Sequence, residues 1–227
     1  MSDLFLFGVF PYLAIGLAIG GTLYRWRAAK STVTARSSQL LEGRLLFWGS
    51  VPWHPAILAI LIAHVAAAAF PRAWGRLLGE PSRLYALEIT GLALGALAVL
   101  GIAVLLVRRA AFARGARAAD LAVLALLLAQ AGTGLFVAFA LRWGSVWYLH
   151  TAAPWLASLA RLAPEVGQMA VLPWVVKVHA LNAFLLLALV PLTRLVHATR
   201  IPFSYLWRPP QRVVWRRAPR PQEEVSR

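Results

Sequence analysis

The sequence contains no cysteine and few acidic residues. The absence of Cys excludes disulfide frameworks, thiolate zinc sites and cysteine-held iron–sulfur clusters, so any redox chemistry needs a cofactor with other ligands. Only 8 residues are Asp or Glu against 23 Lys and Arg, and charged residues make up 14% of the 227. Hydrophobic residues make up 60%, whereas soluble domains contain roughly 45 to 50%. These proportions exclude a soluble domain and predict an integral membrane protein.

Five apolar stretches are long enough to cross a membrane. A hydrocarbon core about 30 Å thick needs about 20 helical residues. The stretches that pass this test are 4–24, 45–71, 89–107, 121–141 and 173–197. The sequence therefore predicts an all-α integral membrane bundle of five transmembrane helices at 1–200, followed by a basic tail at 201–227.

The distribution of positive charge predicts the orientation of this bundle. The loops and tail on one side contain 16 Lys and Arg, and those on the other side contain 5. Positive charge marks the cytoplasmic side. The chain is therefore predicted to lie in the cytoplasmic (inner) membrane of a cell, with its N-terminus on the outer side and its C-terminus on the cytoplasmic side. The basic excess thus reports topology and requires no nucleic-acid partner. Trp residues near the span ends, Trp155 and Trp174 among them, are predicted to form interfacial belts.

Four of the five His residues fall in two predicted spans. His54 and His64 lie in the second, and His179 and His197 lie in the fifth. Ionisable side chains are costly in hydrocarbon, so they indicate a function. Two His on each of two helices are typical of bis-histidine haem ligation, with one imidazole from each helix to each iron. Because the spans run in opposite directions, His54 pairs with His197 toward the cytoplasm, and His64 pairs with His179 toward the exterior.

The spacing within each span sets a geometric condition on this hypothesis. The 18 residues from His179 to His197 correspond to about 27 Å of helix, and the 10 from His54 to His64 to about 15 Å. Bending near Pro191 would have to absorb part of the difference. Two other readings remain open: helix-packing histidines, and a His-lined proton relay or metal transporter without haem. A relay would normally use intramembrane carboxylates as well, but the nearest acids lie at span edges. A third open reading is a passive membrane anchor that binds no cofactor.

Several short motifs resemble one known family. They are Trp53-His54 followed ten residues later by His64, Lys177-Val178-His179, Val-Pro-Leu-Thr-Arg-Leu-Val-His at 190–197, the segment 202–206, and Ser-Ser-Gln at 37–39. Together with the five spans, they make the chain similar to the gamma subunit of the membrane-bound respiratory nitrate reductase, a dihaem cytochrome b.

The resemblance implies an electron path. Menaquinol, or another quinol, is oxidised near an outer haem held by His64 and His179. An inner haem held by His54 and His197 then passes electrons to an iron–sulfur beta subunit and on to a molybdenum alpha subunit. Both haems are predicted to be b-type and non-covalent, since the sequence contains no Cys-x-x-Cys-His. Another quinol-linked dihaem cytochrome b anchor remains the alternative.

Four further side chains are candidates for contacts with these groups. Arg194 and Lys177 lie within one helical turn of His197 and His179, where a cation can pair with a haem propionate; interfacial snorkelling is the alternative. The family has a lysine associated with quinol at the start of the third span. This sequence has Ser82-Arg83-Leu84-Tyr85 there, so Arg83 and Tyr85 are the predicted quinol residues.

Overall fold

The computed structural model describes residues 2–28, 43–112 and 118–199. Every element in these ranges is helical, and no strand occurs in them. Five helices are long and apolar enough to cross a membrane, as predicted. We call them the first to fifth spans: Phe5–Ala28, Arg44–Ala69, Pro81–Phe112, Ala118–Ala140 and Trp174–Leu189. The predicted tail at 201–227 lies outside the described residues.

Shorter helices connect the spans at one end of the bundle. One of them, Pro71–Leu78, lies between the second and third spans. Between the fourth and fifth spans are Gly144–His150, Ala152–Ala160 and Gly167–Ala170. These connecting helices and the start of the chain lie at the same end of the bundle. We call it the amino-terminal end. The opposite, carboxy-terminal end holds the end of the first span and the start of the second.

Large apolar side chains cover the outside of the bundle. Ile62, Val65 and Leu100 are each at least 64% exposed, and Phe139 is 70% exposed. The fourth span has no buried residue at all. In water such a surface would be unfavourable, but in lipid it is solvated by hydrocarbon, and the helical backbone satisfies its own hydrogen bonds. The surface therefore fits a multi-pass membrane protein.

The spans pack in a series that follows chain order except for the first span, which packs on the fifth. The second packs on the third, the third on the fourth, the fourth on the fifth, and the fifth on the first. The second and fifth spans are thus separated in this series and share no extensive backbone contact. They approach each other mainly through side chains, and these include the paired histidines described below.

Two glycines bring the second and third spans into backbone contact. A Cβ on Gly101 would lie 2.8 Å from the carbonyl oxygen of Gly49, and a Cβ on Gly49 would lie 2.7 Å from the Leu105 side chain. Only a hydrogen fits at either place. Small residues at such crossings strengthen van der Waals packing between membrane helices, where no hydrophobic effect draws helices together. This contact fixes the position of the second span, which holds two of the histidines.

A buried cluster closes the amino-terminal end. Phe7 of the first span packs edge-on against Trp155, whose indole nitrogen donates a hydrogen bond of 2.9 Å to the Phe7 carbonyl. Leu159 and Met169 complete the cluster. Trp155 is only 2% exposed, so the prediction that it belongs to an interfacial belt was wrong. Its short helix folds back over the first span, which takes the ring out of the interface.

The fifth span ends earlier than predicted. Its α-helix stops at Leu189, and two 3₁₀ segments follow, Val190–Leu192 and Arg194–Thr199, with extended backbone at Thr193 between them. Pro191 has no N–H to donate, which interrupts the helical ladder. Arg25 of the first span donates to the freed carbonyl of Pro191 at 2.8 Å. The predicted continuous helix at 173–197 was therefore wrong, and the separation of about 27 Å does not apply.

The third span begins earlier than predicted. Its helix starts at Pro81, whose missing N–H is no loss in a first turn. The predicted bounds of 89–107 were therefore too narrow. They coincide with the stretch that contains no charged residue, whereas the helix continues beyond it at both ends. Arg83 and Tyr85 consequently lie in the first turns of the helix rather than in a loop.

Candidate functional site

The structure brings His54 and His197 together at the carboxy-terminal end of the bundle. Their ring centres are 6.3 Å apart and their planes are inclined by 63°. We call them the carboxy-terminal pair. His54 projects from the second span, whereas His197 projects from the 3₁₀ segment after the fifth span. The helix break before His197 therefore determines where this ring lies.

Each ring of the carboxy-terminal pair donates through one nitrogen to its own backbone. Nδ1 of His54 lies 2.8 Å from the Ser50 carbonyl oxygen, and Nδ1 of His197 lies 2.6 Å from the Arg194 carbonyl oxygen. A carbonyl can only accept, so Nδ1 carries the proton in both rings. Each Nε2 then keeps its lone pair, which is the form that binds a metal.

His64 and His179 are the second predicted pair, which we call the amino-terminal pair. His64 projects from the second span and His179 from the fifth. Nδ1 of His64 is 2.8 Å from the Ile60 carbonyl oxygen, so its Nε2 also keeps a lone pair. Tyr148, from a connecting helix, packs edge-on against His64 at 5.7 Å and donates to the His64 carbonyl at 3.2 Å. Burial raises the pKa of Tyr148 to about 12, so the phenol remains a donor.

The fourth span shapes the pocket around His179. A Cβ on Gly134 would lie 2.9 Å from Cε1 of the His179 ring, so glycine there gives the ring its space. The Thr133 hydroxyl lies 3.0 Å from Nδ1, and the Gln130 amide nitrogen lies 3.2 Å from Nε2. Asn182 in turn donates to the Gln130 side-chain oxygen at 2.8 Å. These groups form a polar cluster between the fourth and fifth spans.

The carboxy-terminal pair has the separation that two axial imidazoles require. Metal–imidazole bonds are about 2 Å long, and each nitrogen is about 1 Å from its ring centre, so two imidazoles on opposite sides of one metal have ring centres about 6 Å apart. Both rings are exposed at the surface of the chain, where a large planar group has access. Within the described ranges, no three His, Asp or Glu residues cluster as metal ligands. Two imidazoles from different elements, each with Nδ1 bonded to its own backbone, would suit a group that takes two neutral nitrogen ligands.

The two predicted propionate partners already have partners within the chain. Arg194 Nε lies 3.4 Å from Asp120 of the fourth span, and Arg109 of the third span pairs with the same carboxylate. Lys177 donates from Nζ to the Ala170 carbonyl at 2.7 Å. Arg194 thus ties the 3₁₀ segment of His197 to the fourth span, and Lys177 holds the end of a connecting helix.

The two predicted quinol residues separate in the structure. Tyr85 packs against Trp143 with ring centres 5.2 Å apart, and both line a pocket of about 200 Å³ between the third and fourth spans. Glu88 and Arg142 also line it. Arg83 is exposed in the first turn of the third span and does not line this pocket.

Comparison with known proteins decides the family. The family model described as nitrate reductase gamma subunit matches residues 3–216. The chain belongs to this family. It is 30% identical to the nitrate reductase gamma chain of Bacillus subtilis over 92% of this chain and 96% of that one. It is 28% identical to the respiratory nitrate reductase 1 gamma chain of Escherichia coli, covering 91% and 94%.

A second kind of relative is much longer. The nitrate reductase-like protein NarX of Mycobacterium tuberculosis is 33% identical over 92% of this chain. The chain spans about a third of the length of that relative. The match to the gamma subunit family runs from near the start to near the end of this chain. The longer relative extends well beyond the part that the two proteins share.

Sequence reasoning missed the side chains that surround the histidines of this gamma subunit chain. Thr133 and Gln130 give no signal of their own, because small and polar residues in a span usually indicate helix packing. Gly134 belongs to a Gly132-x-Gly134 pair that predicts a close helix contact, and the structure confirms one with the His179 ring. Positions 130, 133 and 134 lie within five residues and share one helical face, which is the one available hint. Asp120 was noted only as a span-edge acid.

Proposed function

We propose that this chain is the membrane cytochrome b subunit of a nitrate reductase. It would bind two non-covalent b haems, one on the carboxy-terminal pair and one on the amino-terminal pair. It would oxidise menaquinol or a related quinol at the amino-terminal end and deliver electrons at the carboxy-terminal end. The observation that carries the proposal is the carboxy-terminal pair itself, two rings from different elements, 6.3 Å apart, each with Nδ1 bonded to its own backbone.

The chain's own contribution is to hold these imidazoles in one tautomer and one orientation. The chemistry that haem supplies when bound is one-electron transfer. Hydrogen bonds from Nδ1 to fixed acceptors orient metal-binding rings and raise their basicity. The Gly49–Gly101 contact fixes the second span, and the Arg194–Asp120 ion pair holds the segment of His197. The ligand positions are therefore set by spans that are themselves tightly packed.

The amino-terminal end offers groups for quinol. A quinol that loses two electrons also loses two protons, so its site needs hydrogen-bonding groups at the edge of the membrane. Tyr85 and Glu88 line one pocket there, and Arg83 lies just before them in the same helix. The Glu88 carboxylate accepts from the Ser145 backbone at 3.2 Å, which holds it in place. Arg83 and Tyr85 are the proposed quinol donors, and Glu88 is the proposed proton acceptor.

The carboxy-terminal end would face the cytoplasm and the soluble subunits. The names of the Bacillus subtilis and Escherichia coli relatives describe one chain of a nitrate reductase. By analogy, an iron–sulfur beta subunit would receive the electrons, and a molybdenum alpha subunit would reduce nitrate. Quinol protons released outside and electrons delivered inside would add to the proton-motive force.

One measurement separates this function from a His-lined transporter or a passive anchor. We expect pyridine haemochrome analysis of the purified chain to return two extractable b haems per chain. A matched control is His150→Ala, since His150 is exposed in a connecting helix and should leave both haems in place. A chain that contains no haem, or a covalent one, would contradict the proposal.

A further inference from the structure

His179 differs from the other three histidines in its hydrogen-bond partner. The Nδ1 atoms of His54, His64 and His197 each donate to a carbonyl three or four residues earlier in their own segment. His179 instead meets the hydroxyl of Thr133, at 3.0 Å, from the fourth span. The orientation of this one ring therefore depends on a side chain of a neighbouring helix.

The Thr133 hydroxyl is arranged to accept from this ring. Its oxygen lies 2.7 Å from the Ala129 carbonyl oxygen and 3.2 Å from that of Gln130. Carbonyls can only accept, so the hydroxyl proton is committed to the shorter of these contacts. The remaining lone pairs on Oγ1 face Nδ1 of His179, which must then carry its proton.

The Gln130 amide packs against the His179 ring without deciding its tautomer. Its nitrogen lies 3.2 Å from Nε2 and 3.3 Å from Nδ1, so it sits beside Cε1 and not on the in-plane lone pair of either nitrogen. Asn182 donates to the oxygen of this amide at 2.8 Å, which holds the amide in place. With Nδ1 protonated toward Thr133, Nε2 keeps its lone pair. Gly134 beside Thr133 lets the ring come this close.

We propose that Thr133 is a positioning residue that fixes the Nδ1–H tautomer of His179 and raises the basicity of its Nε2. As far as it concerns haem, the proposal rests on the proposed function. A hydrogen bond from Nδ1–H to an acceptor makes an imidazole a stronger donor to metal. A stronger donor stabilises ferric over ferrous iron. Thr133 thus lowers the reduction potential at the amino-terminal pair without touching the carboxy-terminal pair.

Three variants test the role of Thr133. Thr133→Val keeps the shape and removes the acceptor, and Thr133→Ser keeps the acceptor. Thr151→Val is the matched control, because the Thr151 hydroxyl also bonds a carbonyl four residues back, that of Trp147 at 2.8 Å. Redox titration followed by absorbance resolves the potential of each haem. In Thr133→Val we expect about a tenfold loss in relative ferric stabilisation at the amino-terminal pair, which is about 59 mV upward for a one-electron couple.

The outcomes separate the proposal from simple packing. Thr133→Ser and Thr151→Val should keep the wild-type potentials, and the carboxy-terminal haem should be unchanged in all three variants. If Thr133→Val matches wild type, or if Thr133→Ser shifts as far as Thr133→Val, the hydroxyl has no such role and the proposal is overturned.

A second readout does not depend on haem. In the haem-free chain labelled with ¹⁵N-histidine, where no metal occupies Nε2, the ring nitrogen shifts report which nitrogen carries the proton. We expect one Nδ1–H histidine of the wild-type chain to become a tautomer mixture in Thr133→Val and to return in Thr133→Ser. If the chain binds no haem, the proposed function fails, yet this spectrum still decides the role of Thr133. An unchanged spectrum in Thr133→Val overturns it.

Discussion

A histidine has two ring nitrogens, and the partner of one decides what the other can do. In this chain the Nδ1 atoms of His54, His64 and His197 donate to backbone carbonyls, and that of His179 donates to a hydroxyl. Every Nε2 is thereby left with a lone pair. Four rings in the same tautomer, on the second span, the fifth span and the 3₁₀ segment that follows it, give the haem hypothesis a chemical basis at the scale of single atoms.

The first prediction concerns the pairing of these residues. We expect His64→Ala or His179→Ala to remove one haem and to stop quinol oxidation, because electrons lose their entry point. His54→Ala or His197→Ala should remove the other haem and leave the remaining one reducible by quinol. Haem content and spectra of each variant give the answer. Loss of the same haem from His54→Ala and His64→Ala would show that the pairing is wrong.

The second prediction concerns the quinol contact. We expect Arg83→Ala to slow quinol-dependent turnover about tenfold, since a hydrogen bond from a charged donor is worth about 1.5 to 3 kcal/mol. Both haem spectra, and activity with an artificial donor to the soluble subunits, should be unchanged. Arg72→Ala is the control, because Arg72 is an exposed arginine of the connecting helix that precedes the third span.

A different result would move the quinol site. If quinol turnover survives in Arg83→Ala but fails in Lys177→Ala with both haems present, the site belongs to the fifth span. Failure in Tyr85→Phe alone would instead assign it to the pocket of Tyr85 and Glu88 between the third and fourth spans.

At the scale of elements, helix ends and helix crossings decide where these side chains lie. The fifth span stops at Leu189, and His197 follows on a 3₁₀ segment. Arg25 holds the carbonyl of Pro191, and Asp120 holds the side chain of Arg194. A segment that has left the helical ladder is thus fixed by cationic and anionic partners from two other spans.

The third prediction tests the crossing of the second and third spans. Gly101→Ala should destabilise the chain by about 1 to 3 kcal/mol, because its Cβ would lie 2.8 Å from the Gly49 carbonyl oxygen. Gly91→Ala is the matched control on the same helix, since nothing lies within 4 Å of a Cβ there. Thermal unfolding in detergent should show a lower midpoint for Gly101→Ala and an equal or higher one for Gly91→Ala. Equal midpoints for the two variants would show that the close contact between Gly49 and Gly101 does not contribute to stability.

At the scale of the whole molecule, the second to fifth spans pack one on the next, and the first packs on the fifth. The second span meets the segment after the fifth through histidine side chains at the carboxy-terminal end. A cofactor bound by each pair would therefore also link the second and fifth spans. We expect the loss of either cofactor to loosen the bundle.

The fourth prediction concerns the tail at 201–227, outside the described residues. It contains 6 Lys and Arg between positions 201 and 227 and too few apolar residues to fold alone. We expect it to lie along the beta subunit with Tyr205, Trp207 and Trp215 as anchors, since aromatic and Arg residues are enriched at interfaces. Truncation after Leu206 should retain both haems and lose the co-purifying soluble subunits. An undiminished complex would leave the tail only a role at anionic lipid.

The sequence by itself determined the number of spans and the family. The number of spans follows from composition and length, because about 20 apolar residues are needed to cross a bilayer. The family follows from the short motifs around the histidines, and those histidines stay the predicted ligands because ionisable residues within spans are costly. Only the tertiary structure decided the ends of the third and fifth spans, the burial of Trp155 and the environment of His179. Pro191 and Thr193 break a run that is long and apolar enough on average to be predicted as one span, and Thr133 meets His179 across 46 residues of chain. Such contacts depend on how helices pack, and the length and apolar character of a stretch contain no information about packing.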